Sequence, residues 1–344
     1  MSKILLLTDY RGSFYSTIGT QRSLCTMDVP QMSQSFADAG IEVEVQSFSD
    51  VRLDRRYEGT AVLYTSSEDC GLLYKSYIED IVLSLEGLGA RTIPSYTYLR
   101  AHHNKCMMEA LRYQLFPESA SVLDSRCYGT FEELAAADLG DRWPKVLKSA
   151  YGAGSNSVVK AENREQLLKF ARRLSRTYSL GDTIREYRRR ILWKGYHKRS
   201  LNRNKLIIQN LVPELEGDYK VLRYGTRFYV LYRRNRPNDF RASGSGLFTF
   251  DLPGRPDVDD LLEYSRRAAE TIGTPIVSLD IGFDGENFHL LEFQCLNFGT
   301  LTAEESPHYY TRTDSGWTAV PERCNLESGF CESILDHLQQ GSFT

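Results

Sequence analysis

The stretch that decides the fold runs Ile276-Val277-Ser278-Leu279-Asp280-Ile281-Gly282-Phe283-Asp284-Gly285-Glu286-Asn287-Phe288-His289-Leu290-Leu291-Glu292-Phe293-Gln294. Two apolar runs flank an Asp-Gly pair, a strong β-hairpin signal because glycine accepts the positive φ of a tight turn. Side chains alternate along a strand. Ser278, Asp280 and Gly282 therefore share one face, and Phe288, Leu290, Glu292 and Gln294 share one face of the partner strand. A three-residue turn over 285–287 pairs 284 with 288 and 280 with 292, so both carboxylates point the same way. A turn of two or four residues sends them to opposite faces. Glu292 sits inside the apolar run Leu290–Phe293, where an acid without a partner is costly. Paired carboxylates on adjacent strands repel and call for a cation, and oxygen donors suit Mg²⁺. Asp280, Glu292 and the Gln294 amide are the predicted metal ligands; the alternative is a surface hairpin carrying an isolated acid.

Working upstream, Arg233-Arg234-Asn235-Arg236-Pro237-Asn238-Asp239-Phe240-Arg241-Ala242-Ser243-Gly244-Ser245-Gly246 brings arginine into a loop of small residues. An arginine that spreads charge over a transferring phosphoryl group contributes about 10³–10⁵ in rate in well-studied phosphotransfer enzymes. Arg241 is the expected catalytic arginine, because Ser243, Gly244 and Gly246 permit close backbone approach; the alternative is a solvated turn. Further back, Ile207-Ile208-Gln209-Asn210-Leu211-Val212 runs into Pro213 and the acidic turn Glu214-Leu215-Glu216-Gly217-Asp218. The backbone of such a strand can read an adenine, and a nearby carboxylate can hold ribose hydroxyls; a plain edge strand and turn is the other reading. Lys145–Ser149 and Ser157–Lys160 read as strands around a loop containing Gly152 and Gly154. Glycine lets backbone N–H groups fold over phosphate oxygens, and Lys148 can set a point charge on a phosphate. The GxxxxGK[ST] spacing of a P-loop is absent.

The rest of the chain frames these motifs. Strands at 3–8, 41–45, 61–64 and 91–94 alternate with helices at 29–39 and 74–88, the pattern of parallel βαβ units. The first hundred residues therefore predict an open α/β domain. Ligands in such domains sit beyond the carboxyl ends of the strands, which makes Arg11, Ser13, Ser67 and Glu68 candidate substrate contacts. A helix over 104–116 is expected to end at Pro117. Beyond it strands come in hairpin-like pairs, 145–149 with 157–160, 206–212 with 219–224 followed by 227–233, and 276–283 with 288–294. Helices over 163–178 and 257–272 interrupt them. The second half reads as α+β with antiparallel sheet.

With 344 residues, 41% hydrophobic and 25% charged, the chain predicts two or three globular domains. A net charge of −3 gives no global signal for nucleic acid or membrane. One segment departs from this balance. Ile184–Lys205 holds nine cations (Arg185, Arg188, Arg189, Arg190, Lys194, Lys198, Arg199, Arg203 and Lys205) and the single acid Glu186. It reads either as a solvated loop or as a landing surface for an anionic sugar or phosphorylated carrier. The apolar run Ile4–Leu7 is stopped by Asp9, and no run reaches the roughly 18–20 apolar residues of a membrane span. Seven scattered cysteines without a CxxC pair fit reduced thiols in a cytoplasmic protein.

The order of Lys105, Lys148 with its glycine loop, Gln209-Asn210-Leu211-Val212-Pro213, Asp239-Phe240-Arg241, then Asp280, Glu292 and Gln294 resembles the ATP-grasp superfamily. The resemblance is to the group of bacterial glutathione synthetase and ribosomal-protein glutamate ligase, with D-alanine–D-alanine ligase further off. It covers about residues 104–300 and implies an ATP-grasp fold behind an N-terminal pre-ATP-grasp α/β domain. The implied domains are 1–103, then a small subdomain over 104–211 and a large one over 212–344. It further implies ATP between two subdomains, Lys105 and Lys148 on phosphates, and an adenine hinge at Gln209, Asn210 and Leu211. Glu216 or Asp218 would hold the ribose, and one or two Mg²⁺ ions would sit on Asp280, Glu292 and Gln294. Departures are Gln294 where asparagine is usual (Asn297 is close by), Gln209 where an acid is usual, Lys220 where arginine is common, and Ala-Ser after Arg241. The implied function is an ATP- and Mg²⁺-dependent ligase joining a small-molecule carboxylate to an amine through an acyl phosphate, in a dimeric protein. The competing readings are an ATP-grasp kinase and a non-catalytic ATP-binding regulatory module.

Overall fold

A computed structural model describes residues 3–15, 25–152, 157–177, 179–254 and 256–340. The chain forms two compact units: Met1–His102 together with Leu215–Thr344, and His103–Glu214.

The first part of the larger unit runs β1 (Lys3–Thr8), α1 (Val29–Asp38), β2 (Glu42–Ser47), β3 (Thr60–Tyr64), α2 (Leu73–Gly87), β4 (Arg91–Ile93) and α3 (Tyr96–Ala101). Its four strands form a parallel sheet in the order β2-β1-β3-β4. β3 is buried along its whole length and β1 from Ile4 onward, the mark of central strands covered on both faces. α1 starts on Asp28, whose carboxylate caps the Gln31 amide, and α2 buries Ile78, Ile81, Val82 and Leu85 at helical spacing.

The smaller unit runs α4 (Lys105–Leu115), α5 (Pro117–Leu123), β5 (Arg126–Tyr128), α6 (Phe131–Ala136), β6 (Lys145–Ser149), β7 (Val158–Ala161), α7 (Arg164–Leu174), α8 (Leu180–Leu192) and β8 (Leu206–Asn210). Its antiparallel sheet has the order β5-β8-β6-β7. Leu134, Leu147, Leu167, Ala171, Leu206 and Ile208 form the core between the sheet and helices α6 and α7. Pro117 ends α4 as expected and also opens α5, where its missing N–H costs nothing. The expected pairing of 206–212 with 219–224 does not form. β8 is an inner strand held by β5 and β6, and the chain leaves this unit after Glu214. The basic run, one reading of which was a loop, supplies most of α8.

The chain then returns to the larger unit through β9 (Gly217–Tyr224), β10 (Arg227–Arg234), β11 (Phe248–Thr249), α9 (Val258–Ile272), β12 (Ile276–Phe283), β13 (Phe288–Gln294), α10 (Leu301–Glu305), β14 (Tyr309–Thr313), β15 (Gly316–Val320) and α11 (Leu326–Gln340). The strands form a sheet in the order β13-β12-β9-β10-β14-β15, with β11 also on β10. One continuous core joins this half to the N-terminal sheet: Leu5, Phe14 and Phe36 cluster with Tyr224, Ile276, Phe298, Phe330 and Ile334. α11 makes the junction. Phe330 packs edge-on to Phe14 and Tyr15, both at 5.7 Å, the Cys331 thiol donates to Met32 O at 3.7 Å, and Glu327 accepts from the Asp28 amide at 2.9 Å. Among the described residues no helix is long and apolar enough to cross a membrane.

Candidate functional site

The hairpin β12–β13 settles its register in an unexpected way. Phe283 pairs with Phe288 and Gly282 with His289, so the turn has four residues, 284–287. A four-residue turn alone would set Leu291 opposite Asp280. An irregularity between Asp280 and Ile281 inserts one residue on β13 and restores the pairing Asp280↔Glu292 and Ser278↔Gln294. A β-bulge of this kind re-aims the side chains beyond it. Glu292 and Gln294 therefore share the face of Asp280 and Ser278, whereas Phe288 and Leu290 lie opposite Phe283 and Ile281. The same shift brings His289, expected on the other face from Glu292, into register with the Asp280 side. There it is buried and bonds Asp284 at 2.7 Å.

Around Asp280 the sheet assembles a charge cluster that sequence reading missed in part. β9 pairs Lys220 with Asp280, and β10 pairs Arg233 with Asp218. Arg233 grips both oxygens of Asp218 at 2.6 and 2.9 Å and reaches Asp280 Oδ2 at 2.8 Å. Lys220 Nζ donates to Ser278 Oγ at 2.8 Å and lies 3.4 Å from Asp280 Oδ1. Gln294 Nε2 donates to Glu292 Oε1 at 3.3 Å. Burial tends to raise the Asp280 carboxyl, but Arg233 and Lys220 overcome it and hold the group at about 2. Asp218 goes the other way: burial prevails over the pull of Arg233, and its carboxyl is pushed up to about 6. Gly217 makes this geometry possible, because a Cβ there would lie 2.2 Å from the Arg233 carbonyl oxygen. Alternation along β9 was the signal available for Lys220, two residues after Asp218; nothing in the sequence singled out Arg233 among its neighbours.

Asp280, Glu292 and the Gln294 amide put oxygen donors of the kind that suits Mg²⁺ on one sheet face, beside the cations Lys220 and Arg233. Among the described residues, the acid and imidazole group whose ligand atoms all lie within 4.8 Å of one another is instead Glu68, His102 and His103. Asn297, the nearby asparagine, is committed elsewhere: its Oδ1 accepts from the Ser66 amide at 3.1 Å and its Nδ2 donates to Ser66 O at 3.3 Å.

In the smaller unit, Lys105 opens α4 beside the glycine loop. Its amide donates to Ala150 O at 3.0 Å and its Nζ to Gly152 O at 3.1 Å. Gly152 has φ 107°, a conformation that favours glycine; Gly154 lies outside the described residues. Lys148 stands on β6 opposite Val158 and Ile207. Lys205, read only as part of the basic run, also reaches this end: it bonds Asn104 Oδ1 at 3.4 Å and lies over the Tyr151 ring at 5.4 Å. Gln209 and Asn210 direct their side chains into the unit. Gln209 donates to Ser125 Oγ at 2.7 Å, continuing to Glu109 and Arg112, and Asn210 accepts from Lys145 at 3.2 Å. Leu211 is the first residue past the β8 ladders.

The remaining candidates lie on loops between the elements. Arg241 is gripped by its neighbour Asp239 at 2.6–3.0 Å in the loop between β10 and β11. Glu216 is exposed just before β9. Arg11 and Ser13 follow β1, and Ser67 and Glu68 follow β3, so the parallel sheet brings all four to the carboxyl ends of adjacent strands. Arg11 is paired with Asp9 at 2.6 Å, Ser67 donates to Asp69 at 2.8 Å, and Glu68 lies 3.5 Å from His102.

No family model matches the sequence, and no curated protein matches it. Solved structures do. The chain is similar to D-cycloserine synthetase DcsG at 14% identity and a TM-score of 0.53, over 98% of this chain and 100% of that one. It is similar to N5-carboxyaminoimidazole ribonucleotide synthetase, solved as an ADP complex, at 12% identity and a TM-score of 0.53 over 89% and 73%. Glycinamide-RNase-transformylase T from Mycobacterium tuberculosis follows at 9% identity and a TM-score of 0.50 over 97% and 80%. These likenesses define the class: the protein has the ATP-grasp fold. By name two of these neighbours are synthetases and one is a transformylase.

Proposed function

We propose that the protein is an ATP- and Mg²⁺-dependent ligase that joins a carboxylate to an amine through an acyl phosphate. The observation that carries this reading is the bulge-restored pairing of Asp280 with Glu292, which gathers Asp280, Glu292 and Gln294 on one sheet face. The fold and the ADP complex of one neighbour support nucleotide use. Asp280, Glu292 and Gln294 would hold Mg²⁺, which supplies neutralisation of phosphate charge when bound. Lys105, Lys148 and the amides around Gly152 would bind phosphate oxygens. Leu211, past the end of β8, would offer backbone to the adenine, and the exposed Glu216 suits the ribose better than Asp218, which Arg233 already holds.

In the reaction a substrate carboxylate oxygen attacks the γ-phosphorus and the bond to the β,γ-bridging oxygen breaks, releasing ADP. The amine then attacks the acyl carbon, phosphate leaves, and the amine gives up a proton. Arg241, released from Asp239, would offset charge on the transferring group. Arg11, Ser13, Ser67 and Glu68 would contact the substrate.

Calorimetry of Mg-ATP binding tests the reading. The protein should bind Mg-ATP, and Asp280→Asn/Glu292→Gln should abolish the magnesium-dependent part. Failure of the folded protein to bind nucleotide at any magnesium concentration would sink it. With hydroxylamine as acceptor, a panel of carboxylates should then yield a hydroxamate together with ADP; ADP formation with phosphorylation of a hydroxyl instead would mark a kinase.

A further inference from the structure

The helix α8 is built inside out. Leu180, Ile184, Tyr187 and Ile191 are 83%, 61%, 67% and 66% exposed. Their spacing of four, three and four residues places them within about 60° of one another around the helix, a single apolar seam. The side turned to the protein carries Glu186, which is buried. Its carboxylate accepts from Tyr196 Oη at 2.6 Å, Arg199 N at 3.1 Å and Arg189 at 2.8 Å. The one acid of the basic run is thus the anchor that turns the apolar seam to solvent.

Charge surrounds this seam. Arg188 and Arg190 flank it on opposite sides by helical position. Beside α8 lies a cavity of about 880 Å³ lined by Lys169, Arg172, Arg173 and Arg176 of α7 and its end, and by Lys198 and Arg199; Glu132 is its one lining acid. Glu132 accepts from Ser200 Oγ at 2.6 Å. Thr183 lines the same cavity from α8, so the basic cavity and the apolar seam adjoin. Four of these six cations come from α7 and its end, outside the run that stands out in the sequence.

We propose that this face of the smaller unit docks an acidic amphipathic helix from another polypeptide, its apolar side on the α8 seam and its carboxylates toward the basic cavity. The 4-3-4 spacing is that of a helix packing on a helix, and the exposed Leu192 and Trp193 extend the apolar surface at the C-terminal end of α8. A second copy of this chain is disfavoured because the same arginines would face each other. Charge complementarity selects an acidic partner. The inference stands apart from the ligase reading and uses none of its residues.

The test is fluorescence anisotropy with the full chain and a labelled synthetic helix carrying leucine at 3-4 spacing and glutamate elsewhere. The controls are a proline-interrupted peptide of the same composition, vesicles of anionic phospholipid, and single-stranded RNA. The helical probe should bind saturably, and both Ile184→Ser/Tyr187→Ser and Arg172→Glu/Arg173→Glu should weaken it by about tenfold or more. All four positions are exposed, and an unchanged circular-dichroism spectrum establishes that the variants fold. Absence of saturable binding, equal binding of the proline-interrupted peptide, or indifference to the Ile184/Tyr187 change overturns the proposal. So does tighter, seam-dependent binding of vesicles or RNA.

Discussion

Replacing Arg233 by methionine removes the cation that stands between two acids while keeping most of the side-chain volume. In the native cluster Arg233 makes two bonds to Asp218 and one to Asp280, all between 2.6 and 2.9 Å. Without it Lys220, 3.4 Å from Asp280 Oδ1, is left beside Asp280 and Asp218. Breaking a buried ion pair by deleting one partner costs about 3–5 kcal/mol, because the remaining charge is left uncompensated. The loss should be read from urea unfolding followed by fluorescence and circular dichroism near neutral pH. Magnesium supplies the second half of the test. If Asp280 and Glu292 form a cation site, Mg²⁺ binds a cluster that now lacks a positive charge. At a concentration 100-fold above its dissociation constant it returns about 2.7 kcal/mol. The native protein should gain less at the same concentration, since Arg233 already occupies Asp280. A loss below about 1 kcal/mol would refute the ion-pair argument. An equal magnesium increment in both proteins would refute the placement of the cation beside Asp280.

The hairpin turn offers a pH test. Burial works against ionisation of Asp284, but His289 and the amides of Asn287 and Glu286 outweigh it and hold the carboxyl at about 2. A folded value below the unfolded one adds stability that is complete above about pH 4 and is lost as pH falls toward 2. Asp284→Asn should therefore cost about 1 kcal/mol near pH 7, allowing for the partial exposure of the turn, and most of the gap should be gone by about pH 2. A gap constant over that range would contradict this account. Gly217→Ala should destabilise by at least about 1–3 kcal/mol through overpacking, since its Cβ would meet Arg233 O at 2.2 Å and Tyr232 at 2.8 Å. Gly254→Ala, which meets nothing within 4 Å, should stay within about 0.5 kcal/mol of the parent. Equal unfolding midpoints for the two alanine variants would show that the close approach at Gly217 is not limiting.

The local readings that held were those fixed by periodicity and punctuation. The strands near 3–8 and 276–294, the helices α1, α2, α4 and α9, and the stop at Pro117 follow from side-chain alternation, apolar stripes and a missing backbone donor, all of which act within a few residues. That Glu292 meets a polar face was legible too, because an acid in an apolar strand demands a partner. What escaped was whatever depends on residues far apart in sequence. The bulge that returns Glu292 to the face of Asp280 is invisible in the alternation pattern, which left the turn length open. Arg233 and Lys220 acquire their partners only when β10, β9 and β12 pair. β8 reads like the mate of β9, yet it belongs to the other unit because β5 and β6 compete for its edges. The basic run could not be read as an inverted helix without knowing that Tyr196 and Arg199 fold back on Glu186. The sequence determined element types and the chemistry available to them, since those are set by covalent geometry and hydropathy. The tertiary structure decided registers, strand partners and which charge meets which, because those depend on the competition between long-range contacts.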